Sequence, residues 1–502
     1  MKQTKSRQRV TDHGEVFTAE REVNAMLDLV QQETSRIDSR FLEPACGNGN
    51  FLVEILRRKL AAVKVRYGKN AADYERGAVT AVTSLYGVDI LPDNVEDCRD
   101  RMYEIFDREY TVHCQQTAND ETRQAVRHIL RHNILCGDTL AVKLCEGEPV
   151  HAAGLEEVFR MKFDVIIGNP PYQSSDGGSG NGISARPVYH LFVEKAKQLK
   201  PRYLSMIIPA RWYAGGKGLD SFREDMLNDL RLEKMVDYPK SRECFQGVDI
   251  AGGVTYFLWN TNHTGHCEFT SVIGDSVHRK TRQLNEFRIF VRDNTGVEIL
   301  RKVRSLEERT MSKVVSARNP FGFVSSDRGE SQPFDGCMTL FSSGGKGYVQ
   351  PADITKNAGI AGRYKLSIGK LNPDRAGVNN AADGKMNVIT KMKILSPNEI
   401  VTESYLILAT FEDPLQTGNC MTYYSTKFVR YLISLTLSSM NISRKNFQFV
   451  PVQDFTGAWT DEKLYEKYRL TTDEIGLIER TIRPMPFNSQ WADTFCKPAS
   501  AK

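Results

Sequence analysis

The sequence predicts an α/β fold, a mostly parallel sheet with helices on both faces, and three observations carry that expectation. Apolar, β-branched runs of strand length recur at 40–42, 84–90, 132–138 and 163–168. Stretches of helical period separate them, as in βαβ units whose strands are buried on both faces. Each run also ends in a polar or glycine-bearing turn, at the sheet edge where open α/β folds hold ligands. Beyond about residue 264 the periodicity weakens, and glycine- and polar-rich pieces alternate with short strands, which predicts a mixed α+β second part.

Composition sets the bounds. A chain of 502 residues can build a full core and two or three domains. Hydrophobic content of 40%, charged content of 26% and a formal charge of +5 describe an ordinary protein that tolerates a polyanionic partner. No apolar run is long enough to span a bilayer, and MKQTKSRQRV lacks a signal-peptide core, so no membrane partner is expected. The ten cysteines form no Cys-x-x-Cys pair, which points to reduced thiols in a cytoplasm. His128 and His132 share a helical face, but with only Cys136 nearby they are expected as surface histidines and no metal site is assigned.

Gly14-Glu15-Val16-Phe17-Thr18 precedes an amphipathic helix carrying Val23, Met26, Leu27 and Val30. Phe41-Leu42 leads into Glu43-Pro44-Ala45-Cys46-Gly47-Asn48-Gly49 and a helix over 52–60, a first strand–turn–helix unit. The glycines stop at Gly47-x-Gly49, short of a dinucleotide fingerprint, and the acidic Glu43 suits a cationic ligand better than a phosphate. The second strand ends in Asp89-Ile90, a carboxylate fit for ribose hydroxyls and an apolar cover for an adenine face. A charged insertion between Arg57 and Gly77 accounts for the long spacing, and a polar, glutamine-rich connection follows the helix over 91–106. The third strand ends in Asp138, an acceptor for an adenine amino group.

The fourth run, Phe163 to Gly168, stops at Asn169-Pro170-Pro171-Tyr172. Two prolines forbid a central strand from continuing. The turn offers an amide oxygen, carbonyls without competing N–H groups and one aromatic face, a set that grips a planar amino-heterocycle. Gln173 to Gly182 is a Gly/Ser-rich loop. A helix over 188–199, a strand over 203–209, Arg211-Trp212 at the same sheet edge and available to a phosphate or a base, a helix over 219–230 and strands over 235–238 and 253–259 complete the first part. Later expectations are short strands at 387–389 and 406–408, a helix over 425–437, exposed Arg444-Lys445, and a capping box from Thr471 to Glu474.

Glu43 to Gly49, Asp89, Asp138 and Asn169 to Tyr172 resemble motifs I to IV of S-adenosylmethionine-dependent DNA adenine-N6 methyltransferases of the type II restriction–modification kind. Gly14 to Thr18 resembles the motif X of that family, with Ala19 where a proline is usual, and the motif order is that of its gamma class. Glu243 to Asp249 resembles motif VIII, with Phe245 as its aromatic residue. The resemblance implies a Rossmann-like methyltransferase sheet over 1–264, a DNA target-recognition domain over 265–455 and a helical tail over 456–502. It implies S-adenosyl-L-methionine as cofactor, held by Phe17, Thr18, Glu43, Ala45, Gly47, Gly49, Asp89, Ile90 and Asp138. Asn169, Pro170 and Tyr172 would be catalytic, with Tyr172 and Phe245 stacking on a flipped adenine.

The partners implied are double-stranded DNA and a separate restriction endonuclease, because the stretch ahead of Gly14 leaves no room for a nuclease; the setting is a prokaryotic cytoplasm, at the nucleoid. Cytosine-N4, RNA and protein-glutamine methyl transfer stay open beside this reading, as does a methylase component of a bifunctional or multisubunit restriction enzyme.

Overall fold

Strand residues point alternately to opposite faces of a sheet, and in this chain both faces are apolar. The structure, a computed structural model, describes residues 9, 16–141, 153–174, 186–245, 250, 252–371, 384–389, 391–437 and 441–485. It divides into two compact units, Met1–Phe290 and Val291–Lys502. In the first unit the strands are β1 (Phe41–Glu43), β2 (Leu85–Asp89), β3 (Ile134–Cys136), β4 (Val165–Gly168), a short pair β5 (Gln173–Ser174) and β6 (Arg186–Pro187), β7 (Tyr203–Pro209), β8 (Leu232–Tyr238), β9 (Val254–Asn260), β10 (Cys267–Ile273) and β11 (Ser276–Arg282). Nine of them form one sheet in the order β11-β10-β8-β9-β7-β4-β1-β2-β3.

Pairs β1–β2, β1–β4, β2–β3, β4–β7 and β8–β10 are parallel. Only β9, between β7 and β8, and the edge strand β11 run antiparallel to their neighbours. The sheet is therefore mostly parallel, as the sequence predicts. Phe41, Val165 and Ile167 face one apolar layer, while Leu42, Ile166, Leu204 and Met206 face the other. Helices Glu20–Asp28, Asn50–Tyr67, Ala71–Thr83 and Pro92–His113 supply the first layer, and Tyr189–Gln198 and Asp220–Asn228 the second.

From β1 the chain moves outward through β2 to β3, then returns to β4 on the other flank of β1 and continues to β7. That reversal leaves a crevice beyond the carboxyl ends of β1 and β4, the place where such sheets bind ligands. Glu43 ends one strand and Asn169 follows the other.

Several elements differ from the sequence expectation. The charged insertion after Arg57 is helical: Asn50–Tyr67 runs past the expected end at 60, and Ala71–Thr83 is a further helix capped by the Asn70 side chain. The polar connection before β3 contains the helix Asp120–Asn133, which buries only Val126 and Leu130. Trp212 is fully buried and offers nothing to a ligand, whereas Arg211 is exposed. The sheet runs past residue 264 through β10 and β11, so the compact unit ends at Phe290.

The second unit is mixed α+β, with two three-stranded sheets. One joins β12 (Met338–Ser342), β13 (Gly345–Val349) and β16 (Glu399–Val401), and the other β14 (Tyr364–Gly369), β15 (Met392–Leu395) and β17 (Tyr405–Phe411). Leu340, Leu395, Ile400 and Ile407 form its apolar centre. Residues 387–389 are not a strand, because Ile389 has φ +58° and leaves the extended region. The helix expected over 425–437 is Lys427–Ser434, capped by Thr426, whose extended backbone separates it from an unexpected helix at Pro414–Ser425. The last helices, Asp461–Lys467 and Thr472–Thr481, belong to this unit and not to a separate tail; Tyr468 donates to Glu308 at 2.6 Å. The capping box of Thr471 and Glu474 is present. No helix among the described residues is long and apolar enough to cross a membrane.

Candidate functional site

The turn after β1 is held by backbone hydrogen bonds, one within the turn and one to β2. Cys46 N–H donates to Val88 O at 2.8 Å and Gly49 N–H to Cys46 O at 2.8 Å. Gly47 and Gly49 have φ of +51° and +82°, conformations that glycine adopts without strain. A Cβ on Gly49 would stand 2.4 Å from Cys98 Sγ, so this glycine lets the helix at Pro92–His113 approach the turn. Arg101 from that helix donates to Asn48 O and, at 3.0 Å, to Asn50 Oδ1.

Glu43 sits under this turn and is only 2% exposed. Its Oε2 has no hydrogen-bond partner. Burial holds the carboxyl well above the ordinary carboxylate range, with Cys98 and Asp89 adding to the effect. A carboxyl in that state gains most from a cation brought by a ligand.

The ends of β2 and β3 complete one side. Asp89 Oδ2 accepts from Gly47 N–H at 2.8 Å, and Oδ1 accepts from Leu91 N–H at 2.9 Å and Asn94 Nδ2 at 3.3 Å. This carboxylate thus shapes the turn as well as facing the cavity. Ile90 is 56% exposed beside it, an apolar side chain left uncovered at the rim. Asp138 is exposed and accepts from Leu140 N–H at 2.8 Å. Thr139 Oγ1 donates to Pro44 O at 2.6 Å and ties the end of β3 to the first turn.

At the end of β4, Asn169 Nδ2 donates to Val16 O at 2.8 Å, and its Oδ1 is buried without a partner. Pro170 is buried and Pro171 lines the cavity. Tyr172 turns away: its hydroxyl is buried without a partner, and burial pushes that hydroxyl well up. Its ring meets Phe245 edge-on, with centroids 6.3 Å apart and planes at 76°. Phe245 is fully buried, so its ring presents no open face.

Residues 16–18 close the arrangement. The Phe17 ring lies 3.1 Å from where a Cβ on Gly47 would stand, and Thr18 O accepts from Asn50 Nδ2 at 3.0 Å. Gly14 and Glu15, most of the Gly/Ser-rich loop and Gln246 to Asp249 lie outside the described residues.

These turns enclose a cavity of about 250 Å³. Of the residues expected from sequence, Phe17, Thr18, Glu43, Ala45, Gly47, Asp89, Ile90, Asp138 and Asn169 line it. Gly49, Pro170, Tyr172 and Phe245 do not. Val16, Asn48, Asn94, Thr139 and Phe192 line it unforeseen. Asn48 stood in view inside the glycine turn, whereas Val16 contributes a main-chain carbonyl that no residue type announces. Thr18 Oγ1, Glu43 Oε2, Asn48 Oδ1 and Asn169 Oδ1 are all buried without a partner. Buried polar atoms normally find one, so four on the residues around one cavity are fit for a polar ligand.

Residues 83–245 match the family model of the Eco57I restriction-modification methylase. The matched stretch runs from β2 through Asn169 to Phe245. An uncharacterized adenine-specific methylase of Mycoplasma pneumoniae is 36% identical over 146 residues, 28% of this chain and 34% of that one. The chain thus spans about a third of the length of that curated relative. Among solved structures, the type IIL restriction-modification enzyme MmeI in complex with DNA has a TM-score of 0.46 at 10% identity, covering 88% of this chain and 69% of that chain. The type I restriction-modification methyltransferase subunit from Streptococcus thermophilus has a TM-score of 0.33 at 14% identity, covering 54% and 50%.

Proposed function

We propose that this chain transfers a methyl group from S-adenosyl-L-methionine to the N6 amino group of an adenine flipped out of duplex DNA, as the modification activity of a restriction–modification system in a prokaryotic cytoplasm. The observation that carries the reading is Asn169 Oδ1, buried, unpartnered and fixed in orientation by Val16. The adenine-specific relative and the matched methylase model support the reaction type.

The cofactor fits the residues present. It brings an ammonium for Glu43, hydroxyls for Asp89, an adenine ring for Ile90 and an exocyclic amine for Asp138. When bound, it supplies a methyl group made electrophilic by sulfonium. The orphaned Glu43 Oε2 and Thr18 Oγ1 are independent signs of a polar ligand beside the glycine turn.

An adenine amino nitrogen is a weak nucleophile because its lone pair is delocalised into the ring. Asn169 Oδ1 and the Pro170 carbonyl accept its two hydrogens and draw that lone pair out of conjugation. Catalysis is then placement plus directed acceptors. Flipping the base costs a few kcal/mol, and stacking on aromatic rings returns about 1–3 kcal/mol per base. Tyr172 and Phe245 meet edge-on, so seating a base between them requires the rings to part.

Expression in a methylation-free host followed by long-read mapping of modified bases tests the reading. Modified adenine at one recurring sequence is the expected result. Absence of modified adenine would overturn it, and N4-methylcytosine in its place would reassign the substrate.

A further inference from the structure

The outward face of β12 and β13 in the second unit carries an arrangement that the methyl-transfer chemistry does not use. Thr339 and Phe341 of β12 pair directly with Tyr348 and Lys346 of β13, so these four side chains share one face. The other face holds Leu340 and Val349 in the apolar centre, against which Phe341 also packs in part. Lys346 Nζ lies over the Tyr348 ring at 5.3 Å from its centroid. Lys393 of β15 reaches the same face and stands 3.0 Å from the Phe341 centroid. Both lysines are exposed, and their rings are half-buried.

Phe341 is thus flanked by two ammonium groups, one seated on its ring and one on its cross-strand partner. Like charges gathered in this way repel. Glu399, paired with Thr339, acts on both ammonium groups, and its carboxylate already accepts from Ser396 N–H at 2.8 Å. The exposed Glu330 lies beyond β13, where it pairs with Tyr348 through its backbone. The ring faces also remove rotamer freedom that each lysine would otherwise lose on meeting an anion. At the β12–β13 turn, Gly345 has nothing within 4 Å of where a side chain would begin, which leaves room for a bulky partner to approach.

We propose that Lys346 and Lys393, seated on Tyr348 and Phe341, form a phosphate clamp by which the second unit grips the backbone of duplex DNA. This rests on the DNA methyltransferase reading, since duplex DNA is the polyanion that reading brings to the chain. The contact is electrostatic and independent of base sequence, and it positions the duplex without reading it.

The test is binding of a short labelled duplex to the full chain by fluorescence anisotropy across a salt series. For the wild type, log Kd varies linearly with log salt. K346A and K393A are each expected to weaken binding on any duplex sequence and to lower the salt slope by about one. K346R and K393R are expected to restore the slope, while melting temperature and S-adenosylmethionine affinity stay at wild-type values. Wild-type slopes in both alanine variants would overturn the clamp and leave the methyltransferase reading standing. Failure of the wild-type chain to bind any duplex at low salt would overturn both. Tighter binding of an RNA duplex, lost in the same variants, would overturn the assignment to DNA.

Discussion

Asn169 donates its Nδ2–H to the Val16 carbonyl at 2.8 Å, and this one hydrogen bond decides which end of the amide faces the cavity. Without it the side chain could present an NH2 group to an amino substrate, a donor facing donors. Replacing Asn169 by Asp removes the donor and sets a carboxylate oxygen against the Val16 carbonyl. N169D is expected to lower the methyl-transfer rate by about 100-fold or more, the scale of losing one directed group at a reacting centre. N169A is expected to abolish transfer. Radiolabelled methyl transfer measures the rate, and calorimetric cofactor titration checks that affinity stays within a few-fold.

Glu43 supplies a prediction with a defined sign. Burial raises its carboxyl well above the ordinary value. A group raised in the folded state contributes stability that is full below its unfolded value and lost as pH rises through its folded value. The cofactor-free protein is therefore expected to lose stability on leaving the ordinary carboxylate range toward neutrality, and E43Q to remove that slope. A cationic ligand prefers the ionised carboxyl, so wild-type cofactor affinity is expected to rise over the same window. E43Q is expected to be flat with pH and at least about 10-fold weaker, for a charged hydrogen bond of about 1.5–3 kcal/mol. Thermal melts and cofactor titrations over pH check both halves.

Gly49 touches no ligand surface, yet the turn depends on it. A methyl group there would stand 2.4 Å from Cys98 Sγ at a φ of +82°. G49A is expected to cost about 1–3 kcal/mol from overpacking and a further ~1 kcal/mol from the left-handed backbone. The double variant G49A/C98A removes the collision but not the backbone penalty, so it is expected to recover part of the loss in urea unfolding.

Lys59 lies buried at the amino-terminal ends of the first two strands and donates to Ile37 O, Ser39 O and Ser84 Oγ. Burial lowers its ammonium from 10.5 to about 7. Between those values the unfolded chain holds a proton that the folded chain lacks, so stability is expected to rise with pH across that window. K59M removes the slope and leaves the acceptors without their donor, at about 1–3 kcal/mol. Urea unfolding at stepped pH resolves the two effects.

Much of the first unit is legible in its sequence for a physical reason. Parallel strands buried on both faces read as unbroken apolar runs, and proline marks where two of them stop, at Pro44 after β1 and Pro170 after β4. What stayed hidden had no such mark. The helix Asp120–Asn133 is mostly polar and buries two apolar residues, so its sequence reads as a connection. The Val16 carbonyl is main chain, and the contact of Cys98 with Gly49 joins positions that only the fold brings together. The burial of Phe245 against Tyr172 is likewise a matter of packing, since an aromatic residue looks alike in sequence whether open or covered.

The reversal of strand order between β1 and β4 has a consequence for how such a chain can vary. Leu42 pairs with Ile166, so Glu43 and Asn169 lie two register positions apart at the ends of neighbouring strands. On the reading above, the gap between the anchor of the methyl donor and the grip on its acceptor is set by that register, like marks on a ruler. The connections joining the strands do not enter that measurement. They are free to lengthen, shorten or change composition, while the ruler keeps the reaction distance.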